Sequence, residues 1–400
     1  MTSDQPPPAI RLLPKKSPKR FRHGAPWIFA DELVLDRRTR GIAAGTVVEV
    51  QDADRNPFAL AGFNASSKIA ARLLSLDPNG SIDENWIRQK IAFASSMRAT
   101  LFDNPFYRLV HAEADGLPGL IIDRFGDCFV VQPNSAWADR ALPQIVAALK
   151  AEFDPSTIIK NASGRSRALE GLDDVSSVLH GTPDGPIPVQ MNGATYMADV
   201  LEGQKTGLFF DQRDNHAFAA KLAHGKTVLD VFSHVGGFSL AALAAGATNA
   251  LAIDGSAPAL DLASAGAKAS GLADRFTTLQ GDAVSTMQAL LAEERTFDVV
   301  ICDPPAFAPR REALTAGLRG YERVALNAAK LVAPGGFLGL CSCSGAVDIA
   351  AFRTACVTGI GRAGRSGQVL HMGAAAPDHP THPQLDETAY LKAIFLRLNA

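Results

Sequence analysis

No stretch of this 400-residue chain approaches the roughly 18 unbroken apolar residues that a membrane-spanning helix needs. The opening residues, MTSDQPPPAI, lack a charged and then apolar signal pattern and are expected to form a short disordered lead-in. Cysteine is scarce. There are five, an odd number without disulfide-framework spacing, which points to a reducing, cytoplasmic compartment. No second Cys or His pair stands at ligand spacing beside Cys341 and Cys343, so no zinc or other metal site is expected. Internal repeats and long low-complexity segments are absent. A strong overall charge is missing too. Lys and Arg number 39 against 41 Asp and Glu, so the chain as a whole is no nucleic-acid polycation. With 47% hydrophobic residues there is enough apolar material for real cores, and the length exceeds what a single core organises.

The distribution of charge says more than its sum. Arg11, Lys15, Lys16, Lys19, Arg20 and Arg22 lie together with no acidic residue among them, beside Phe21 and Trp27. Such a cluster can engage phosphates, or it can be a solvated surface run. Short β-like segments at 45–50, 58–63 and 68–74, separated by Gly and Asp turns, predict a small barrel. After the turn Asp77-Pro78-Asn79-Gly80, helical periodicity runs over 83–101. Strands at 107–111, 119–123, 128–132 and 157–160, with an amphipathic helix over 138–153, predict a small α+β middle domain. The expected domains are 1–80, 81–198 and 199–400.

Beyond residue 200 the chain alternates. Strands are expected at 227–232, 250–254, 276–280, 298–302 and 336–341, with helices near 238–246, 257–270, 283–293 and 318–332. Repeated strand–helix units imply a doubly wound α/β domain with a parallel sheet covered on both faces. Ligands of such sheets sit beyond the carboxyl ends of the strands. The first strand runs into Ser233-His234-Val235-Gly236-Gly237-Phe238, where two glycines permit close backbone approach or simply a tight turn. It is not G-x-G-x-x-G, which disfavours a dinucleotide. The second strand ends in Asp254, able to accept from both ribose hydroxyls, and the third in Gly281-Asp282, suited to the adenine amine. Either aspartate can instead be a helix N-cap. Together the three strand ends point to an adenosine-type cofactor.

The fourth strand leads into Asp303-Pro304-Pro305-Ala306-Phe307. Two prolines cannot continue a strand and force a rigid turn. The turn is purely structural, or it holds Asp303 and the Phe307 ring against a flat base. The fifth strand ends in Leu340-Cys341-Ser342-Cys343-Ser344-Gly345. Cys341 reads as a buried small hydrophobe, whereas Cys343, at the functional edge, is either inert or a nucleophile.

With these pieces in place, the chain resembles the bacterial PUA-domain class I methyltransferases that make 5-methylcytosine in large-subunit ribosomal RNA. The likeness runs in order along nearly the whole chain. It starts with Pro26-Trp27-Ile28-Phe29, Asp115-Gly116-Leu117-Pro118-Gly119-Leu120 and Asp123-Arg124-Phe125-Gly126. It continues through Lys205-Thr206-Gly207, Asp211-Gln212-Arg213, Phe232-Ser233 and Gly236-Gly237-Phe238. Asp303-Pro304-Pro305-x-Phe307, Arg319-Gly320-Tyr321, Ser342-Cys343-Ser344-Gly345 and Asp378-His379-Pro380 complete it. The departures are His234-Val235, where Tyr-Thr is more frequent, and Asn64-Ala65, where Asn-Pro is usual.

The resemblance implies a PUA-like RNA-binding barrel, a middle domain, a Rossmann-like catalytic domain and S-adenosylmethionine as cofactor. By match, Asp254 and Asp282 hold ribose and adenine. Asp211, Gln212, Arg213, Phe232, Ser233, Gly236, Gly237 and Phe238 line the methionine end, Asp303 serves both cofactor and base, and Cys343 is the nucleophile. Cys302 precedes Asp303 in the strand, so a single-cysteine mechanism is expected. Lys15, Lys16, Lys19, Arg20, Trp27 and Phe307 are the candidate RNA contacts. The expected partner is RNA, as 23S rRNA or a large-subunit assembly intermediate, with no membrane and with a homodimer among the expected assemblies. Rival readings are a base-nitrogen RNA methyltransferase (guanine N7 or an exocyclic amine), a non-catalytic RNA-binding protein and a small-molecule methyltransferase.

Overall fold

A computed structural model of the chain describes residues 6–201 and 207–399. Most of the lead-in (1–5), together with Lys205 and Thr206, lies outside the described residues. Two compact units result: residues 1–184 with 380–386, and residues 185–379 with 387–400. No helix among the described residues is long and apolar enough to cross a membrane.

The first unit contains two sheets. Strands β1 (Ala9–Arg11), β2 (Trp27–Ile28), β3 (Thr46–Gln51), β4 (Pro57–Phe63) and β5 (Ala71–Ser75) pair in the order β1-β3-β4-β5-β2. They enclose Ile10, Phe21, Ile28, Val48, Phe58 and Phe63. Two one-turn helices, α1 (Lys19–Arg22) and α2 (Arg37–Arg40), connect them. Helix α3 (Glu84–Leu101) follows, with the Asp83 carboxylate capping it at the Trp86 N–H. The second sheet has the order β10-β9-β8-β7-β6. Its strands are β6 (Phe106–His111), β7 (Leu120–Phe125), β8 (Cys128–Pro133), β9 (Thr157–Lys160) and β10 (Ser177–His180). The helix expected over 138–153 is two helices, α4 (Ala136–Arg140) and α5 (Leu142–Phe153). Ser135 caps the first, and Pro143 sits in the first turn of the second, where no N–H is needed. A short α6 (Arg165–Leu169) precedes β10.

The 187–198 hairpin, β11 (Ile187–Met191) with β12 (Ala194–Ala198), belongs to the second unit and not to the middle region expected to end at 198. Its Thr195 N–H donates to Ser270 Oγ, and Tyr196 is fully buried with its hydroxyl donating to the Gly237 carbonyl. The sequence boundary therefore moves to 184.

The second unit is built on a seven-stranded sheet of order β15-β14-β13-β16-β17-β19-β18. The central strand β13 (Thr227–Val231) lies between β14 (Asn249–Asp254) and β16 (Phe297–Cys302), and β15 (Phe276–Gln280) forms one edge. β17 (Val332–Ser342) joins parallel to β16, with a register shift where Pro334-Gly335-Gly336 intervene, so this strand starts earlier than the turn suggests. β18 (Gly367–Gly373) and β19 (Lys392–Leu398) are antiparallel additions, which corrects the all-parallel expectation. The helices are α7 (Arg213–Leu222), α8 (Gly237–Ala244), α9 (Ala257–Ala269), α10 (Ala283–Ala292), α11 (Leu314–Leu331) and α12 (Ile349–Arg362). Met287, Leu290, Val324, Phe352 and Ile360 from α10, α11 and α12 pack on Leu229, Val231, Val300 and Leu338. Each such buried side chain contributes on the order of 1.5–3 kcal/mol. Strand order reverses between β13 and β16, and the cleft at their carboxyl ends is where this architecture places ligands.

Candidate active site

A cavity of about 340 Å³ opens at that reversal. Its wall takes Phe232, Ser233, His234, Val235, Gly237 and Phe238 from the turn after β13, and Asp254 from the end of β14. Asp303, Pro304, Pro305 and Ala306 come from beyond β16, and Cys343 from beyond β17. Asp211, Gln212 and His216 come from the start of α7. A more open hollow of about 530 Å³ on the first unit is lined by Lys16, Lys68, Asp31 and Glu32. Its cations and acids balance one another and it holds no cysteine or histidine, so the chemistry gathers in the first cavity.

The turn after β13 is conformationally costly. Phe232 and His234 have φ of 66° and 49°, in the left-handed region that non-glycine residues rarely occupy, and Gly236 follows at 80°. Such strain persists where the surroundings fix it. Asp254 Oδ2 accepts from the His234 N–H at 2.8 Å, and Ser233 N–H donates to the Ile253 carbonyl. At Gly237 a Cβ would lie 2.6 Å from His216 Nε2, so only glycine lets the buried imidazole pack against the start of α8. Beneath the turn, buried Asp230 accepts at Oδ2 from the Ser239 N–H and hydroxyl. Burial pushes its carboxyl up to about 6, against the Ser239 hydrogen bonds. Burial likewise drives His216 down to about 3, keeping the imidazole neutral at physiological pH.

Polar capacity is left open at this edge. Among the described residues Ser233 Oγ, His216 Nδ1 and Asp230 Oδ1 are buried without a hydrogen-bond partner. Buried polar atoms of this kind call for a ligand or water. Other groups are fixed. Gln212 Nε2 donates to Asp303 Oδ2 at 2.8 Å, Asn215 Nδ2 donates to Gln212 Oε1 at 2.6 Å, and Tyr390 donates to Asp211 Oδ2 at 2.5 Å. The Cys343 segment is held by Tyr321, whose hydroxyl bonds Ser344 Oγ at 2.7 Å and accepts from Ser342 Oγ at 2.9 Å. Of the five cysteines, Cys343 is half-buried and on the wall, whereas Cys128, Cys302, Cys341 and Cys356 are buried outside it. Burial first, and the Asp303 charge next, hold the Cys341 thiol well above its ordinary range, as befits an inert core residue.

Several expected site residues stand elsewhere. Asp282 is exposed, caps α10 by accepting from the Ser285 N–H at 2.9 Å, and is not part of the wall. Arg213 and Gly236 also lie off the wall: Arg213 stacks toward Phe210, and Gly236 supplies the turn conformation. The Phe307 ring, expected over the site, turns onto α11 at 4.9 Å from Tyr321, close enough that a Cβ on Gly320 would come within 2.8 Å of it. Trp27 donates to Glu113 at 2.8 Å, and Arg72 lies over its ring. Lys16 pairs with Glu32 at 3.8 Å and Arg20 pairs with it more closely, while Lys15, Lys19 and Arg22 are exposed members of the cluster. His216, Asn215 and Tyr390 are not singled out in the sequence, and Tyr321 enters there only within a motif, without a role. The Arg319-Gly320-Tyr321 and Asp211-Gln212-Arg213 motifs beside them were the available signals.

Residues 161–397 match the S-adenosylmethionine-dependent methyltransferase family, and residues 10–76 match a PUA-like domain. The chain is 34% identical over 377 residues to ribosomal RNA large subunit methyltransferase I of Aeromonas salmonicida, covering 93% of this chain and 95% of that protein. It is 35% identical over 396 residues to the protein of that name from Shewanella amazonensis, with 97% and 99% covered. Among solved structures, a candidate SAM-dependent methyltransferase from Streptococcus mutans superposes with a TM-score of 0.79 at 19% identity, covering 98% of this chain and 100% of that one. A candidate methyltransferase complexed with SAH gives 0.80 at 19% identity, with 98% and 99% covered. At such identity these two structures speak to the fold alone.

Proposed function

Since this chain belongs to the S-adenosylmethionine-dependent methyltransferases that carry a PUA-like domain, we propose that it forms 5-methylcytosine in large-subunit ribosomal RNA through a covalent adduct with Cys343. The names of the curated relatives support the RNA class. The observation that carries the chemistry is that Cys343, alone of five cysteines, lies on the wall of the cofactor cavity.

The cavity fits S-adenosylmethionine on its own evidence. Ser233 Oγ and His216 Nδ1 offer buried polar atoms that nothing among the described residues satisfies, beside the glycine at 237 that keeps the backbone accessible. Asp254 would accept from the ribose hydroxyls, and Asp211, Gln212 and the 232–238 turn would enclose the methionine end. When bound, the cofactor supplies an electrophilic methyl group. Asp282 caps through Oδ1 and stands off the wall, so its contribution to holding the adenine is the weakest of the set.

Carbon-5 of cytosine is too poor a nucleophile to take that methyl group directly. Addition of the Cys343 thiolate to carbon-6 would form a C–S bond and move the ring's electron pair to carbon-5, which would take the methyl as its bond to the cofactor's sulfur breaks and S-adenosylhomocysteine leaves. Asp303, fixed by Gln212, would accept a hydrogen bond from the base edge and favour protonation at N3, stabilising the adduct. Removal of the carbon-5 proton restores the double bond and expels the thiolate.

Tritiated S-adenosylmethionine, offered with RNA or assembly particles from cells lacking the protein, tests this reading. The label is expected in 5-methylcytosine, and Cys343→Ala should lose transfer by about 10³-fold or more, as removal of a covalent nucleophile does. Label on a base nitrogen, with Cys343→Ala fully active, would instead establish the nitrogen methyltransferase. The Asp303-Pro304-Pro305 turn on the wall also suits that alternative.

A further inference from the structure

Lys392 opens β19 opposite Ser342, the last residue of β17, in the antiparallel register. It is 7% exposed and donates to two main-chain carbonyls, those of Ser344 and Val347, at 2.7 Å each. Both carbonyls belong to the segment that carries Cys343 to the cavity wall. Among the described residues no carboxylate lies within ion-pair distance of this ammonium. A buried lysine ordinarily pairs with an acid or gives up its proton. Carbonyl oxygens stabilise the charged form by hydrogen bonding, but they leave its charge unbalanced.

We propose that the missing counter-charge is the Cys343 thiolate, so that Lys392 is a positioning residue that fixes the nucleophile's segment and holds the sulfur in its reactive form. The inference rests on the reading of Cys343 as nucleophile. Burial pulls the proton affinity of Lys392 below its ordinary range, while charge on Cys343 first and on Asp348 second pushes it back. Interaction between two titrating groups is mutual, so the ammonium favours the thiolate by the same amount. Carboxylates share the wall with Cys343 among the described residues. Asp303, Asp211 and Asp254 share its wall, Asp348 precedes α12, and the Tyr321 phenol from α11 is held protonated chiefly by burial. His216 on the wall is neutral, and no lysine or arginine is among the wall residues. Lys392, bonded to the Ser344 and Val347 carbonyls, is a cation placed on this segment beside those acids.

The test is the pH dependence of Cys343 alkylation by iodoacetamide in the full chain, read by peptide mass spectrometry. The four buried cysteines report any unfolding. Wild-type Cys343 is expected to titrate at least one unit below the ordinary thiol value of about 8.5. Lys392→Gln, which keeps hydrogen-bond donors but not the charge, should raise that midpoint by a unit or more and slow alkylation at pH 7 about ten-fold. The acid limb of the methyl-transfer rate should move upward with it. Lys392→Arg should retain most of the wild-type profile. Coincident profiles for wild type and Lys392→Gln would overturn the proposal, and so would a wild-type midpoint at or above the ordinary value, which needs no variant to fold. Coincident profiles with an inactive Cys343→Ala reject the role of Lys392 alone. A shifted midpoint with a fully active Cys343→Ala rejects the nucleophile and leaves the charge pairing in place.

Discussion

Polar side chains of the first unit's Glu170 and Glu113 cluster close on one another, Arg72 Nε and Asn134 Oδ1 excepted, whereas among the described residues more of those at the carboxyl edge of the second unit's sheet are left open. In the first unit, Glu170 accepts from Ser67, Asn64 and Arg72, and Glu113 takes both the Trp27 indole and Arg72. Even the basic cluster is partly neutralised, by Glu32. In the second unit, Ser233, His216 and Asp230 each keep a buried polar atom without a partner. A closed set is structure, and an open set is capacity held for a ligand. Charge in the sequence marks candidate RNA contacts in the first region, and unsatisfied atoms mark the cavity in the second.

The largest expected effect falls on the closed set. Glu170→Ala leaves the half-buried Arg72 with Glu113 alone and strands the buried Ser67 and Asn64 donors, and should cost about 3 kcal/mol of stability, seen as a large fall in denaturation midpoint. A loss below about 1 kcal/mol would mean that the cluster is not a closed structural unit. Next comes Asp230. Its folded-state pKa is raised, from an ordinary 3.8 to about 6, so the protonated form favours the native state. That stability is present at low pH and is lost as pH rises through about 6. Relative to wild type, Asp230→Asn should therefore gain up to roughly 3 kcal/mol between pH 4 and pH 7, read by chemical denaturation at each pH. A constant difference would show that the carboxyl is not held in this way.

Ser233→Ala should leave the ligand-free protein's stability almost unchanged, because the hydroxyl has no partner to lose. Binding of S-adenosylhomocysteine, by calorimetry, should weaken by about 1 kcal/mol, several-fold in Kd. The reverse pattern, lost stability with intact binding, would erase the contrast between the regions. The smallest effect belongs to the basic cluster. Removing the exposed Lys15 and Lys19 should reduce RNA affinity two- to three-fold and flatten its salt dependence by about 1.4 in slope. Removing Lys16 and Arg20, already paired with Glu32, should do less.

The fold was legible where periodicity is local. The strand at 276–280 was placed to the residue, and the cap at Asp83 and the glycine turn at 236–237 follow from short-range rules. Beyond residue 341 the chain was left without assigned strands. β18 and β19 carry no βα alternation, and β19 is defined by pairing with β17 from far along the chain. The site divided the same way. Asp254, Ser233, Asp303 and Cys343 stand at strand ends, which the alternating pattern locates. Lys392 and Tyr390 enter only through long-range register and contact. For Phe307 and Trp27 a sequence shows an aromatic ring but not the Tyr321 or the Glu113 that engages it. Asp282 carried both readings, and its geometry is that of a cap.

The covalent role of Cys343 is tested most directly by RNA in which cytidine is replaced by 5-fluorocytidine, mixed with the protein and S-adenosylmethionine. Fluorine at carbon-5 blocks the final proton removal, so an adduct once formed cannot break down. Wild-type protein should become linked to the RNA through Cys343 and survive a denaturing gel, while Cys343→Ser should not. Absence of any stable adduct, with 5-methylcytosine still formed on ordinary RNA, would contradict the account.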